Sequence, residues 1–369
     1  MKRITVVMGT RPEAIKLCPL ILELQKRKGI ALSVCATGQH KSMLDGALEA
    51  FGVVADVRFD VMKVGKSVSE VTAEILSLCD QLFVKDRPDL LLVQGDTATA
   101  FAAALAAFYR RIPIGHVEAG LRTYHMQSPF PEELHREAIS MMADFHFAPT
   151  AAAKNNLINE GKPEKTVFLT GNTVVDALRF SLCIGKPTES VPISKDHRVV
   201  LFTAHRRENL GEPLKGMLRA LRRIVEDTPD VQAICPLHRN PEVRNAAAEI
   251  LDGCERIRVI EPPETVSFHR LLARSYLVLT DSGGIQEETT ALGIPTLVMR
   301  YSTERSEGIR AGCLKLVGSG ESGIVSTAKR LLESGNAEYL AMRHPSRVFG
   351  DGRASIRIAN ILERMLREA

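Results

Sequence analysis

The chain is 369 residues long and 45% apolar, with a formal net charge of +4 and seven cysteines. That length is more than one ordinary core holds and predicts two domains, while the mild charge, spread along the chain, excludes a basic tract for nucleic acid or a membrane surface. The odd cysteine count, with no C-x-x-C pair and no metal-ligand spacing, predicts small core residues in a reduced compartment and no metal site.

The opening "MKRITVVMGT" has too short an apolar run before Gly9 for a secretory leader, and no stretch approaches membrane-spanning length. A soluble cytoplasmic protein is expected. In chain order, aliphatic and β-branched runs predict strands at 4–8, 32–37, 90–94, 112–117, 167–170, 198–204, 232–237, 256–260, 276–280 and 295–299, with helices such as 12–28, 98–110, 214–227 and 324–334 between them. Strand, helix, strand repeated this way means parallel sheets covered on both faces. The Pro-, Ser- and Gly-rich segment 181–197 interrupts the alternation and reads as a linker. The expected fold class is α/β, with two Rossmann-like doubly wound parallel-sheet domains, 1–175 and 198–345, facing one another across a cleft.

Five polar residues share one position. Arg11, Asp96, Glu118, His205 and Ser282 each follow a predicted strand, and the carboxyl ends of strands are where open parallel sheets bind ligands. In "GTRPEAIK" (9–16), Pro12 suits a first helical turn, and Arg11 and Lys16 read either as surface cations of a well-made helix start or as a cationic clamp for a diphosphate. In "DSGGIQEE" (281–288), Ser282, Gly283 and Gly284 read either as a tight strand-to-helix turn or as a phosphate site, with Glu288 accepting hydrogen bonds from ribose hydroxyls. "GSGESG" (318–323) matches the dinucleotide fingerprint, but no β-branched run follows its helix. It reads as a loop, and no nicotinamide cofactor is expected.

The ordered motifs "MGTRPEAIKLCPL", "TGQHKSML", "QGDTATA", "GHVEAGLRT", "SPFPEELHR", "TGNTVVDAL", "TAHRREN", "DSGGIQEE" and "FGDGRAS" resemble those of the non-hydrolysing UDP-N-acetylglucosamine 2-epimerases over nearly the whole chain. The resemblance implies the glycosyltransferase B-type fold, with a C-terminal helix (346–369) crossing back to the first domain. It implies interconversion of UDP-N-acetylglucosamine and UDP-N-acetylmannosamine for surface polysaccharides, with no cofactor, by anti-elimination of UDP to 2-acetamidoglucal and syn re-addition. The family's catalytic acids fall on Asp96, Glu118 and Glu132, and its active-site histidine on His205. Its substrate contacts fall on Arg11, Lys16, Phe268, Ser282, Gly283, Gly284, Glu288 and Arg305. A homodimer is implied as well.

The chain departs from the family at Gln94, at His135 in "PEELH", at Pro263, and at Tyr301 and Ser306 in "RYSTERSE". Bacterial members bind a second UDP-N-acetylglucosamine that activates them. Gln39, Glu132, Arg206 and His238 match that site, whereas Ser42 is shorter than the usual residue, and Gly65 and Lys66 replace an arginine and a glutamine. Lys66 either meets the effector's diphosphate or faces solvent. Weakened activation is expected. A hydrolysing or diacetamido-uronate epimerase and a catalytically silent nucleotide-sugar sensor are the alternatives. An intact "GTRPEAIK" speaks against the former, and three carboxylates with His205 against the latter.

Overall fold

The computed structural model describes residues 1–38, 41–61, 65–184, 196–204, 206, 209–237 and 240–368. It divides into two compact units, one of residues 1–180 with 350–369 and one of residues 181–349.

In the first unit β1 (Lys2–Met8), β2 (Ile30–Ala36), β3 (Val57–Arg58), β4 (Leu90–Gln94), β5 (Ile114–Val117), β6 (Phe145–Ala148) and β7 (Val167–Leu169) pair in the order β3-β2-β1-β4-β5-β6-β7. Every pairing is parallel. Side chains alternate across a strand, so Ile4, Val6, Met8, Leu90 and Leu92 enter one apolar core and Val7, Leu91 and Val93 the other. The Arg11–Gln25 helix and the C-terminal Ala354–Glu368 helix cover the first face, the latter with the stripe Ile358, Ala359, Leu362 and Leu366. Asp176 holds the start of that last helix, its carboxylate accepting the N–H groups of Ala354 at 3.1 Å and Ser355 at 2.8 Å.

In the second unit β8 (Arg198–Thr203), β9 (Val231–Pro236), β10 (Ile257–Ile260), β11 (Leu277–Thr280), β12 (Thr296–Val298) and β13 (Leu314–Leu316) form a parallel sheet in the order β10-β9-β8-β11-β12-β13. Val200 and Phe202 enter one core, Val199 and Leu201 the other. The expected α/β class of two Rossmann-like parallel sheets is therefore the class found.

Several boundaries differ from the sequence expectation. The 12–28 helix is Arg11–Gln25 and the 324–334 helix is Glu321–Leu332. Thus only 318–320 of "GSGESG" form a loop, and Glu321 to Gly323 open the helix. β13 is an edge strand, and no strand follows that helix among the described residues. Ser181 to Cys183 end the Thr173–Cys183 helix, and linker residues 185–195 lie outside the described residues. None of the seven cysteines is paired, and burial pushes the Cys18 and Cys35 thiols up to about 12. Among the described residues no helix is long and apolar enough to cross a membrane, and no acid, His or Cys group offers three metal ligands.

Candidate active site

The turn after β1 is built from a carboxylate. Thr10 caps the Arg11–Gln25 helix and forms a capping box with Glu13. Glu13, 1% exposed, accepts from Gly9 N at 3.1 Å, Thr10 N at 2.8 Å and Thr10 Oγ1 at 2.8 Å on one oxygen, and from Thr97 Oγ1 at 2.7 Å on the other. Burial pushes its carboxyl up, against the pull of these hydrogen bonds. The turn after β1 and the helix start after β4 are thereby tied together. Gly9 is required there, because a Cβ would fall 2.1 Å from Thr99 Oγ1. Arg11 is the first helical residue and is half-buried.

Two of the expected acids sit at neighbouring strand ends, each with a cation. Glu118 follows β5 in the left-handed region at φ 65°, which few non-glycine residues adopt. Lys16 Nζ lies 2.8 Å from its Oε1 and 2.6 Å from Oε2, and Asn172 Nδ2 donates to Oε2 at 3.0 Å. Asp96 follows β4 and accepts from Arg136 Nε at 2.8 Å. Arg136 also donates to Glu133 at 2.9 Å, whose other oxygen accepts the N–H groups of Thr123 and Tyr124. His135 Nδ1 lies 2.8 Å from the Asp96 carbonyl, to which it can only donate, and its ring stacks on Phe101. Glu132 heads the Glu132–Met142 helix, and its Oε2 is buried with no hydrogen-bond partner. Beneath the Asp96 turn, His116 Nε2 donates to Gly95 O at 2.7 Å, and burial pushes that imidazole down to about 4.

In the second unit the glycine-rich turn follows β11 and opens a helix. Ser282 caps the Gly283–Leu292 helix without a side-chain cap bond, and its own N–H is taken by Thr280 Oγ1 at 3.0 Å. The first-turn N–H groups from Gly283 onward have no intrahelical acceptor, the arrangement by which helix N-termini bind anions in general. A Cβ on Gly283 would meet the Arg305 guanidinium at 2.7 Å, whereas one on Gly284 would meet nothing within 4 Å. Arg305 is 4% exposed, donates to Glu287 at 2.9 Å and is hydrogen-bonded to Glu304. Glu288 is buried beside His269 Nε2 at 3.3 Å, and Phe268 is half-buried one residue earlier. Arg206 donates its N–H to Asp281 at 3.0 Å.

His205, Gln39 and His238 lie outside the described residues, and Ser42 falls in the Lys41–Ala50 helix. Lys66 is half-buried, pairs with Glu74 and donates to Val61 O at 2.8 Å. Glu13, Glu133, Arg136 and Asn172, which hold these turns and side chains in place, are not singled out by the sequence reading. Asn172 carried a usable signal, since it follows β7 as Asp96 follows β4.

The family model described as UDP-N-acetylglucosamine 2-epimerase matches residues 22–363. A Bacillus subtilis UDP-N-acetylglucosamine 2-epimerase is 48% identical over 98% of this chain and 96% of its own length. The crystal structure of the Neisseria meningitidis UDP-GlcNAc 2-epimerase bound to UDP-GlcNAc matches with a TM-score of 0.95 at 44% identity, over 99% of this chain and 100% of that one. The S. aureus MnaA co-structure with UDP matches with a TM-score of 0.93 at 42% identity, over 100% of this chain and 97% of that one. With a model spanning most of its length and relatives this similar from end to end, the chain belongs to the UDP-N-acetylglucosamine 2-epimerase family.

Proposed function

We propose that the chain interconverts UDP-N-acetylglucosamine and UDP-N-acetylmannosamine by anti-elimination of UDP to 2-acetamidoglucal and syn re-addition, without a cofactor. The C2 proton has no adjacent carbonyl to acidify it. Departure of the diphosphate from C1 supplies the missing driving force, and a positioned acid and base at C2 complete the requirement. The observation that carries this reading is the set of acids in the first unit: Glu118 held by Lys16 and Asn172, Asp96 held by Arg136, and Glu132 with a buried unpartnered oxygen.

In this reading Asp96, Glu118 and Glu132 share the acid and base work. Arg11 stabilises the departing diphosphate, and Gly283, Gly284 and Glu288 hold the nucleotide, with Phe268 and Arg305 beside them. The role of His205 rests on family membership alone. Exposed Phe130, Leu134 and Met141, the last two seven residues apart on one helix, support a homodimer. The product serves surface polysaccharide synthesis.

Proton NMR of the chain incubated with UDP-N-acetylglucosamine tests the reading. A second anomeric signal, with no free UDP or free sugar accumulating, is expected. Accumulating UDP and N-acetylmannosamine would identify a hydrolysing enzyme, and no turnover a sensor.

A further inference from the structure

The carboxylate of Glu118 is fixed from two sides, by Lys16 and by Asn172, and the second support is itself supported. Asn172 is 1% exposed, donates Nδ2–H to Glu118 Oε2 at 3.0 Å, and turns its own Oδ1 toward Val174 N at 3.3 Å. Its amide is thus oriented at both ends, with the N–H side toward the acid. The loop that carries it is gripped by a segment from the far end of the chain. Phe349 is the last residue of the second unit, and Gly350 is the first residue of the returning segment. Gly350 has φ 128°, and a Cβ there would lie 3.2 Å from Asn172 N and 3.3 Å from Gly171 Cα. Seven residues on, Arg357 donates to Thr170 O at 3.0 Å, and it forms a two-bond pair with Asp351 at 2.8 and 2.7 Å. The Asp351 carbonyl in turn accepts from Arg179 at 2.6 Å.

We propose that Asn172 is a positioning residue for Glu118, and that the returning segment from Gly350 to Arg357 sets its place by packing on residues 170–172. Two observations carry this: a close backbone approach at Gly350, where φ and the 3.2 Å gap would strain any added side chain, and an unbroken path from Gly350 through Asn172 to the Glu118 oxygen. A proton carrier must be held closely to its acceptor atom, and a displacement of about 1 Å costs on the order of 100-fold in rate. The inference rests on the epimerase reading, since Glu118 matters only if it works on the sugar.

The test is a double-mutant cycle in the full-length chain, with kcat, KM and the pH profile measured for Asn172→Ala, Gly350→Ala, the double variant and Asn172→Asp. Each alanine variant should lower kcat roughly 10- to 100-fold with little change in KM. The double variant should be no worse than Asn172→Ala, because both changes act through one amide. Asn172→Asp keeps the size and sets a second negative charge beside Glu118, so the acid limb of kcat should move to higher pH. Wild-type kcat in Asn172→Ala, additive losses in the double variant, or an unmoved acid limb would overturn the inference. If Asn172→Ala does not fold, the other two single variants decide. A wild-type chain without turnover would remove the epimerase reading itself, whereas active wild type with indifferent variants removes only the role of Asn172.

Discussion

Lys16 Nζ lies within 2.8 Å of both oxygens of Glu118, a residue 102 positions later, and both side chains are nearly buried. A buried charge that loses its partner is costly, about 3–5 kcal/mol, while removing both charges costs far less. Lys16→Met and Glu118→Gln should each lower stability to urea, and the double variant should recover part of the loss. Turnover should fall roughly 10²- to 10⁴-fold whenever Glu118 is changed. A wild-type urea midpoint for Lys16→Met would show that the pair contributes no stability.

Adjacent glutamates differ in their partners. Glu133 is fully buried and satisfies Arg136 and two backbone N–H groups, whereas Glu132 leaves Oε2 unpartnered. Glu133→Gln should destabilise the fold by about 1–3 kcal/mol through lost charge-assisted bonds. Glu132→Gln should leave the unfolding transition in place and lower turnover by roughly 10²- to 10⁴-fold. Thermal unfolding and steady-state assays of the two variants would separate the roles, and a reversed pattern would refute the assignment.

The distinction between those two glutamates also shows where sequence reading ends. Strand-end placement made Asp96 and Glu118 legible, because a polar residue after an apolar run marks the carboxyl edge of a parallel sheet. Family motifs added Glu132. What was not legible is what holds each acid: Arg136 reaches Asp96 across 40 positions and Asn172 reaches Glu118 across 54, with no periodicity to announce either. Among the strands, β3 has two residues and β6 reads "FHFA", too short for a period to show. The partner of Lys66, Glu74, lies eight positions on and is not announced by the charge of Lys66.

Stability should depend on pH through two buried histidines. Burial pushes His116 down to about 4 and His146 to about 3, from an ordinary value near 6.5. Between those values the unfolded chain binds more protons than the folded one, so stability rises with pH. It should therefore be fully present above about pH 6.5 and be lost as pH falls toward 4 and then 3. Urea unfolding at pH 7, 5.5 and 4.5 would check this. His116→Gln, which can still donate to Gly95 O, should flatten the slope, and an unchanged slope would exclude His116 as its source.

Activation by a second substrate molecule should be weak. Lys66 is committed to Glu74 and Val61 O, and Ser42 and Gly65 offer short or no side chains. Losing two or three hydrogen bonds at about 0.5–1.5 kcal/mol each lowers effector affinity by roughly one to three decades. The reverse reaction from UDP-N-acetylmannosamine should proceed without added UDP-N-acetylglucosamine, or need far more of it than an activated relative does. Strict dependence on a trace of effector would show that the second site is intact.

In the proposed reaction the C2–H bond is broken and remade by exchangeable protein acids during elimination and re-addition of UDP. Incubating the chain with UDP-N-acetylglucosamine in deuterated water, with no added cofactor, and reading the product by mass and proton NMR tests it directly. The expected product is UDP-N-acetylmannosamine carrying deuterium at C2, with substrate acquiring the label as equilibrium is approached. Product that keeps its original hydrogen at C2 would mean direct internal transfer and would contradict the elimination mechanism and the roles given to Asp96, Glu118 and Glu132.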